Sequence, residues 1–115
     1  MKPGDKTAEQ KQRIGELKLL TRDDFVLLDI DLLTQGDIEE FAEAMGGFDM
    51  SGDNMSPPRM RRFAFQAAYK IGWFSAAPQL TDSDFTLMPP ILVTRAGDMV
   101  LERYNDITVP DESFT

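Results

Sequence analysis

The sequence predicts a mainly α-helical fold, a small single-domain bundle of about four to six short helices. Two observations carry this prediction. Apolar residues recur at helical spacing along most of the chain. A hexapeptide pattern, Leu-Thr-x-x-Asp followed by Phe or Ile, also occurs three times. Its copies are Leu20–Phe25, Leu33–Ile38 and Leu80–Phe85.

Each copy of this pattern has the features of a helix start. The threonine hydroxyl can accept the backbone N–H three residues on, and the aspartate there can accept the threonine's own N–H. The leucine before the threonine and the Phe or Ile four residues after it have the spacing of a hydrophobic staple. We therefore interpret the three aspartates as helix caps rather than as catalytic acids.

The chain, at 115 residues, has the size of one domain. We predict that this domain spans residues 7–108. A flexible arm at residues 1–6 precedes it, and a loose tail at residues 109–115 follows it.

The first helix is predicted to begin at a capping box formed by Thr7 and Gln10. It runs to about Leu20 through a mostly polar sequence. Ile14 and Leu17 supply most of its apolar stripe. Because this stripe is thin, we expect the helix to be only weakly tied to the core.

Residues 23–33 fit two kinds of structure. The Thr21 cap and Asp24 favour a short helix, which is our preferred interpretation. Alternating apolar residues favour a strand over residues 25–30 instead. The alternating residues are Val26, Leu28, Ile30 and Leu32.

The helical pattern is clearest between Thr34 and Gly46. Its apolar residues, at i, i+3, i+4 and i+7, are Ile38, Phe41, Ala42 and Met45. The pair Gly46-Gly47 predicts the end of this helix. A Gly-, Asp- and Ser-containing loop follows, over residues 48–56.

Three further helical segments are predicted. The first begins at Ser56-Pro57 and runs to about Phe74. Its apolar stripe is Met60, Phe63, Ala64, Ala67, Ile71 and Phe74. A turn of helix covers about residues 82–88, and the last helix starts near Pro89-Pro90 and cannot continue past Val109-Pro110.

The composition excludes several classes of enzyme. The chain has no His and no Cys, so it lacks an imidazole base, a thiolate nucleophile and the ligands of a zinc finger. It also has no Gly-rich phosphate-binding loop. Residues 49–60 resemble a calcium loop only superficially, because the twelfth position is Met60 rather than a bidentate Glu. We therefore expect a protein that is not an enzyme and needs no cofactor or metal.

Charge is distributed unevenly. Residues 1–22 carry six basic groups against three acidic ones, whereas the rest of the chain carries six against seventeen. Such an acidic body repels phosphates, so direct nucleic-acid binding is not expected. No apolar stretch approaches the ~20 residues of a membrane span, and no signal peptide follows Met1, so we expect a cytoplasmic protein without membrane contact.

Two groups of side chains are candidate partner contacts. Met50 and Met55 lie in the predicted loop, where flexible thioethers could adapt to varied apolar partners. Tyr69 and Trp73 lie near a helix end beside Lys70 and could anchor an interface. The alternatives favoured by ordinary packing are incidental loop methionines and an aromatic pair that closes the core.

A family resemblance follows from the order of these elements. The segment Leu28–Glu40, followed by Gly46-Gly47, resembles the leucine-threonine-x-glycine-acid helix start of the tail assembly chaperones of long-tailed, siphophage-type bacteriophages. The second half of the chain continues the resemblance. A helix ends in Ile71-Gly72-Trp73 and is followed by Leu80–Met88, an order similar to that in the second half of the family's sequences. The resemblance covers about residues 26–105.

This resemblance implies a non-enzymatic chaperone that works in the cytoplasm of the infected bacterial cell and is not retained in the virion. Its partners would be the tape measure protein, whose apolar helical segments it keeps soluble, and the tail tube protein. Self-association is left open. The rival interpretation is an acidic inhibitor whose carboxylates mimic nucleic-acid phosphates and block a host nucleic-acid-binding protein.

Overall fold

A computed structural model describes residues 5–46 and 57–108. Within these ranges the chain forms five α-helices and one two-stranded antiparallel sheet, which confirms the predicted mainly helical fold. The helices are α1 (Ala8–Leu17), α2 (Gln35–Gly46), α3 (Pro57–Ile71), α4 (Asp84–Leu87) and α5 (Pro90–Thr108). The strands are β1 (Val26–Leu27) and β2 (Phe74–Ala76). Residues 1–4 of the predicted arm, the loop at 48–56 and the tail at 109–115 lie outside the described residues.

The predicted capping boxes at Thr7 and Thr34 are complete. At Thr81 only half of the box forms, because the Asp84 N–H donates to the Thr81 carbonyl rather than to its hydroxyl. The Thr21 copy precedes a 3₁₀ turn rather than an α-helix. At the start of α1, the Thr7 N–H donates to Gln10 Oε1 at 3.0 Å and the Gln10 N–H donates to Thr7 Oγ1 at 3.1 Å. Asp37 caps α2 in the same way, since its Oδ2 accepts from the N–H of Thr34 at 2.9 Å. These reciprocal bonds satisfy backbone donors that a helix start leaves without partners.

The structure corrects the helical interpretation of residues 23–33. A 3₁₀ turn covers Arg22–Asp24 and a second covers Ile30–Leu32, but Val26–Leu27 between them is a strand. Val26 pairs with Ala76 and Leu27 with Phe74, with a register shift between the two pairs. A strand suits this segment because its successive side chains point to opposite faces: Leu27 is buried, whereas Val26 is exposed.

The end of α3 also differs from the prediction. The helix ends at Ile71 rather than near Phe74, because Gly72 adopts a left-handed φ of 87°. The Trp73 N–H donates to the Ala68 carbonyl and the Gly72 N–H donates to the Tyr69 carbonyl, which together form a Schellman motif. The chain therefore turns at Gly72 and leaves the helix in time to form β2.

Two adjoining groups of buried side chains make up the core. One joins α2, α3 and α5 around Trp73, and the other joins α1, α4 and α5 around Phe65. Helices α3 and α5 are in close contact where Gly97 faces Arg61. A Cβ there would lie 2.6 Å from the backbone oxygen of Arg61, so only glycine allows this separation.

Candidate partner-binding groove

An apolar groove lies between α2 and α3. Three of its α3 residues, Phe63, Ala67 and Ile71, are four positions apart and therefore share one helix face. Ala44 in the last turns of α2 forms the opposite wall. The groove has a volume of about 280 Å³.

Small side chains create this space. Ala44 and Ala67 present only methyl groups where α2 and α3 face each other. Ala64 and Ala68, on the neighbouring rows of α3, are fully buried in the core cluster that also contains Phe41 of α2. Because Ala44 is only partly buried and lines the groove, a larger side chain there would occupy part of the groove.

The two walls of the groove differ in charge. Gln66 and Lys70 line its α3 side, and Arg62 lies one turn before Gln66 on the same helix row. Helix α3 carries four basic residues and no acidic one, although the chain as a whole has a net charge of −8. On α2, the exposed Glu40 lies one turn before Ala44. Lys70 is therefore the charged residue among those that line the groove, while Arg62 on α3 and Glu40 on α2 lie one helical turn beyond the lining.

Lys70 already has a partner at this rim. Its Nζ lies 3.1 Å from Asp82 Oδ1, and the Gln66 side chain donates to the same carboxylate at 3.4 Å. The Lys70 and Asp82 side chains are both more than half exposed, so their ion pair contributes little stability. Lys70 can exchange this partner for another carboxylate at small cost.

The two predicted aromatic contacts lie elsewhere. Trp73 is 1% exposed and stacks on Phe41 with ring centroids 4.5 Å apart. The Tyr69 hydroxyl donates to the Pro78 carbonyl at 3.1 Å and accepts from the Leu80 N–H at 2.9 Å. Trp73 therefore closes the core, and Tyr69 holds the segment between β2 and α4. Met50 and Met55 lie outside the described residues.

The residues of the groove were visible in the sequence, but their role was not. The sequence pattern placed Phe63, Ala67 and Ile71 on the apolar stripe of α3. The pattern did not indicate that α2 leaves part of this apolar stripe of α3 uncovered. The signal that could have found the groove is the pair of alanines, since two small residues on facing helices leave room above their contact.

A second cluster of charges has a structural role. The Asp84 carboxylate is 2% exposed and accepts hydrogen bonds from Arg13 and from the Thr81 N–H. The Arg13 hydrogen bond is the main cause that lowers the pKa of Asp84 to about 2, despite burial. Because both oxygens are occupied, this acid is a fixed anion that joins helices, which agrees with its interpretation as a cap.

A further cleft, beside the first 3₁₀ turn and α5, has no consistent charge. It encloses about 640 Å³, and two arginines and three carboxylates contribute to its wall. The lining residues are Thr21, Arg22, Asp23, Arg95, Asp98, Met99 and Glu102. Opposite charges at such spacing compensate one another, so this cleft selects neither anions nor cations.

The comparisons with known proteins give no family. No model of a known protein family, no curated protein and no solved structure matches this chain. Over residues 5–46 and 57–108, no group of three Asp or Glu side chains could hold a metal ion. In the same part of the chain, no helix is both long and apolar enough to cross a membrane.

Proposed function

We propose that this protein is a tail assembly chaperone of a long-tailed bacteriophage, and that the groove between α2 and α3 binds apolar helical segments of the tape measure protein. The observation that carries the proposal is the apolar lining of this groove, to which Phe63, Ala67 and Ile71 contribute one helix face and Lys70 a positive charge. The resemblance of Leu28–Glu40 to the chaperone family adds the identity of the client. In this role the protein acts in the infected cell, recruits tail tube subunits and is left out of the virion.

The chemistry of the groove suits an amphipathic helix. A client helix with apolar residues four positions apart could lay them along the α3 stripe, in which Phe63, Ala67 and Ile71 have the same spacing. Acidic client residues would face Arg62 and Lys70, and basic ones would face Glu40. Apolar burial would supply most of the affinity, while Lys70 and the charged residues beside the groove would set the orientation of the client.

The rival function, a nucleic-acid mimic, has weaker support. A mimic needs carboxylates that are exposed and available to an external cation. Here Asp37 and Asp84 are committed to caps, and Asp98 lies 2.8 Å from Arg61 Nε. These three acids serve the protein's own helices and are therefore less available to an external partner.

The test is co-expression of this chain with the tape measure protein from the same genome, followed by size-exclusion chromatography at low and high salt. We expect a soluble complex that persists at high salt, because apolar contacts are not screened. Ala44→Leu should abolish the complex by filling the groove. Ala42→Leu, at an exposed position of the same helix that does not line the groove, should leave it intact.

Two outcomes would overturn the proposal. If the tape measure protein stays insoluble and no complex forms, the chain is not its chaperone. If a complex forms but Ala44→Leu and Ala42→Leu behave alike, the groove is not the binding site. A complex with a nucleic-acid-binding protein that dissociates as salt is raised would instead support the mimic.

A further inference from the structure

An exposed segment with alternating acidic and apolar residues precedes α2. Ile30 is 46% exposed and Leu32 is 62% exposed on the second 3₁₀ turn. Asp29 and Asp31 alternate with them and are exposed as well. We call residues 29–32 the acidic knob. Large apolar side chains that are exposed together, between charges, are typical of a contact surface.

The groove of the same protein has the complementary chemistry. Its floor is apolar, as the Ile30 and Leu32 side chains require. Its α3 wall carries Lys70, with Arg62 in the same helix row, where Asp29 and Asp31 would find opposite charge. Both halves of a contact are therefore present in one chain.

The knob cannot reach the groove of its own molecule. It lies directly before the first turn of α2, whereas Ala44 lies in the last turns of that helix. Gln35 and Ala44 are separated by nine positions, or about 14 Å along the helix axis. Bringing the two together within one chain would require α2 to unwind, so the contact must join two copies.

We propose that the acidic knob of one copy docks in the α2–α3 groove of a second copy. Because the knob and the groove are different surfaces, the contact is head-to-tail. A dimer therefore keeps one unoccupied knob and one unoccupied groove, to which further copies can bind. Two apolar side chains make a small contact, so the association is weak and depends on concentration. The inference rests on the proposed function only in using the same groove, which an amphipathic client would compete for.

Sedimentation of the purified chain alone tests the proposal, over a range from about 10 μM to about 1 mM. We expect the average mass to rise above the 13.0 kDa of the monomer as concentration increases. Leu32→Ser removes the knob and Ala44→Leu fills the groove, so each variant should stay monomeric. Leu19→Ser is the matched control, because Leu19 is 82% exposed but lies outside the knob. It should associate like the wild type.

Mixing the two monomeric variants gives the decisive result. The intact groove of Leu32→Ser can bind the intact knob of Ala44→Leu. The altered knob of Leu32→Ser and the altered groove of Ala44→Leu can bind no further copy. The mixture should therefore form a dimer and stop there. Unfolding curves that match the wild type would show that both variants are folded.

The proposal is overturned if the wild type is monomeric throughout, if the mixture fails to dimerise, or if Leu19→Ser reduces association as much as Leu32→Ser. The experiment contains no client. Its failure therefore leaves the chaperone proposal intact, and failure of client binding leaves self-association intact.

Discussion

Arg13 and Asp84 form a two-point hydrogen bond that joins α1 to α4 across 71 positions of sequence. Arg13 Nε donates to Asp84 Oδ1 and Nη2 donates to Oδ2, both at 2.8 Å. Together with Leu17, which is 1% exposed, this pair corrects the expectation that α1 is weakly tied to the core. A parallel fork of this kind is among the stronger polar contacts in proteins.

Removal of the arginine should destabilise the protein. Arg13→Ala leaves the buried Asp84 carboxylate without its cation. We expect a loss of about 2 kcal/mol in the free energy of unfolding, below the full cost for a buried pair because Arg13 is itself about a third exposed. Urea unfolding followed by circular dichroism measures the loss. Lys11→Ala on the same helix is the control and should change stability by less than about 0.5 kcal/mol. Equal effects of the two variants would contradict a specific role for the pair.

The same carboxylate should make stability sensitive to acid. Folding lowers the pKa of Asp84 from 3.8 to about 2, so the unfolded chain binds this proton first as pH falls. The stabilisation is complete above about pH 5 and is lost between about pH 4 and pH 2, with a total of about 2 kcal/mol. Asp84→Asn removes the titrating group, so its unfolding free energy should fall less steeply over that interval. Parallel pH profiles for the two proteins would refute the assignment.

Gly97 should tolerate no side chain. In Gly97→Ala the new Cβ would lie within 2.8 Å of three Arg61 atoms, two of them backbone atoms that cannot rotate away. We expect a loss of about 2 kcal/mol, although alanine is the better helix former. Gly15→Ala is the matched control, because nothing lies within 4 Å of the added methyl on α1. It should instead raise the unfolding free energy, by up to about 1 kcal/mol. The two thermal midpoints should thus move in opposite directions.

Trp73 should matter for folding rather than for binding. Trp73→Ala removes a large buried ring and should cost about 3–5 kcal/mol. Trp73→Phe keeps a ring against Phe41 and deletes an indole N–H that finds no acceptor among the described residues, so we expect a cost below about 1.5 kcal/mol. Chemical denaturation of both variants checks this order. If Trp73→Phe unfolds as easily as Trp73→Ala, the ring contact is not what holds the site together.

Local signals explain what could be predicted. Capping boxes, the Pro-Pro start of α5 and the apolar periodicity of α2 depend on neighbours in sequence, and the structure contains all three. The strand at Val26 could not be separated from a helix, because its partner Ala76 lies 50 positions away. The end of α3 was misplaced since Phe74 continues the apolar period while Gly72 breaks the backbone.

The residues that line the groove were harder to predict than the helices and strands. An aromatic residue at a helix end looks the same in sequence whether it is buried, as Trp73 is, or exposed. The groove depends on how far two helices separate above Ala44 and Ala67, which no single-chain pattern encodes. The contact between Arg13 and Asp84 was missed for the same reason, because it joins two helices distant in sequence.

The position of Trp73 makes the protein its own optical reporter. It is the only tryptophan of the chain, it is the last residue of the Schellman motif that ends α3, and it stacks on Phe41 of α2. Its fluorescence therefore reports on the contact between α2 and the end of α3, the two helices that form the groove. A ligand that wedges these helices apart would change the environment of the indole, so occupancy can be followed by intrinsic fluorescence without a dye or a tag.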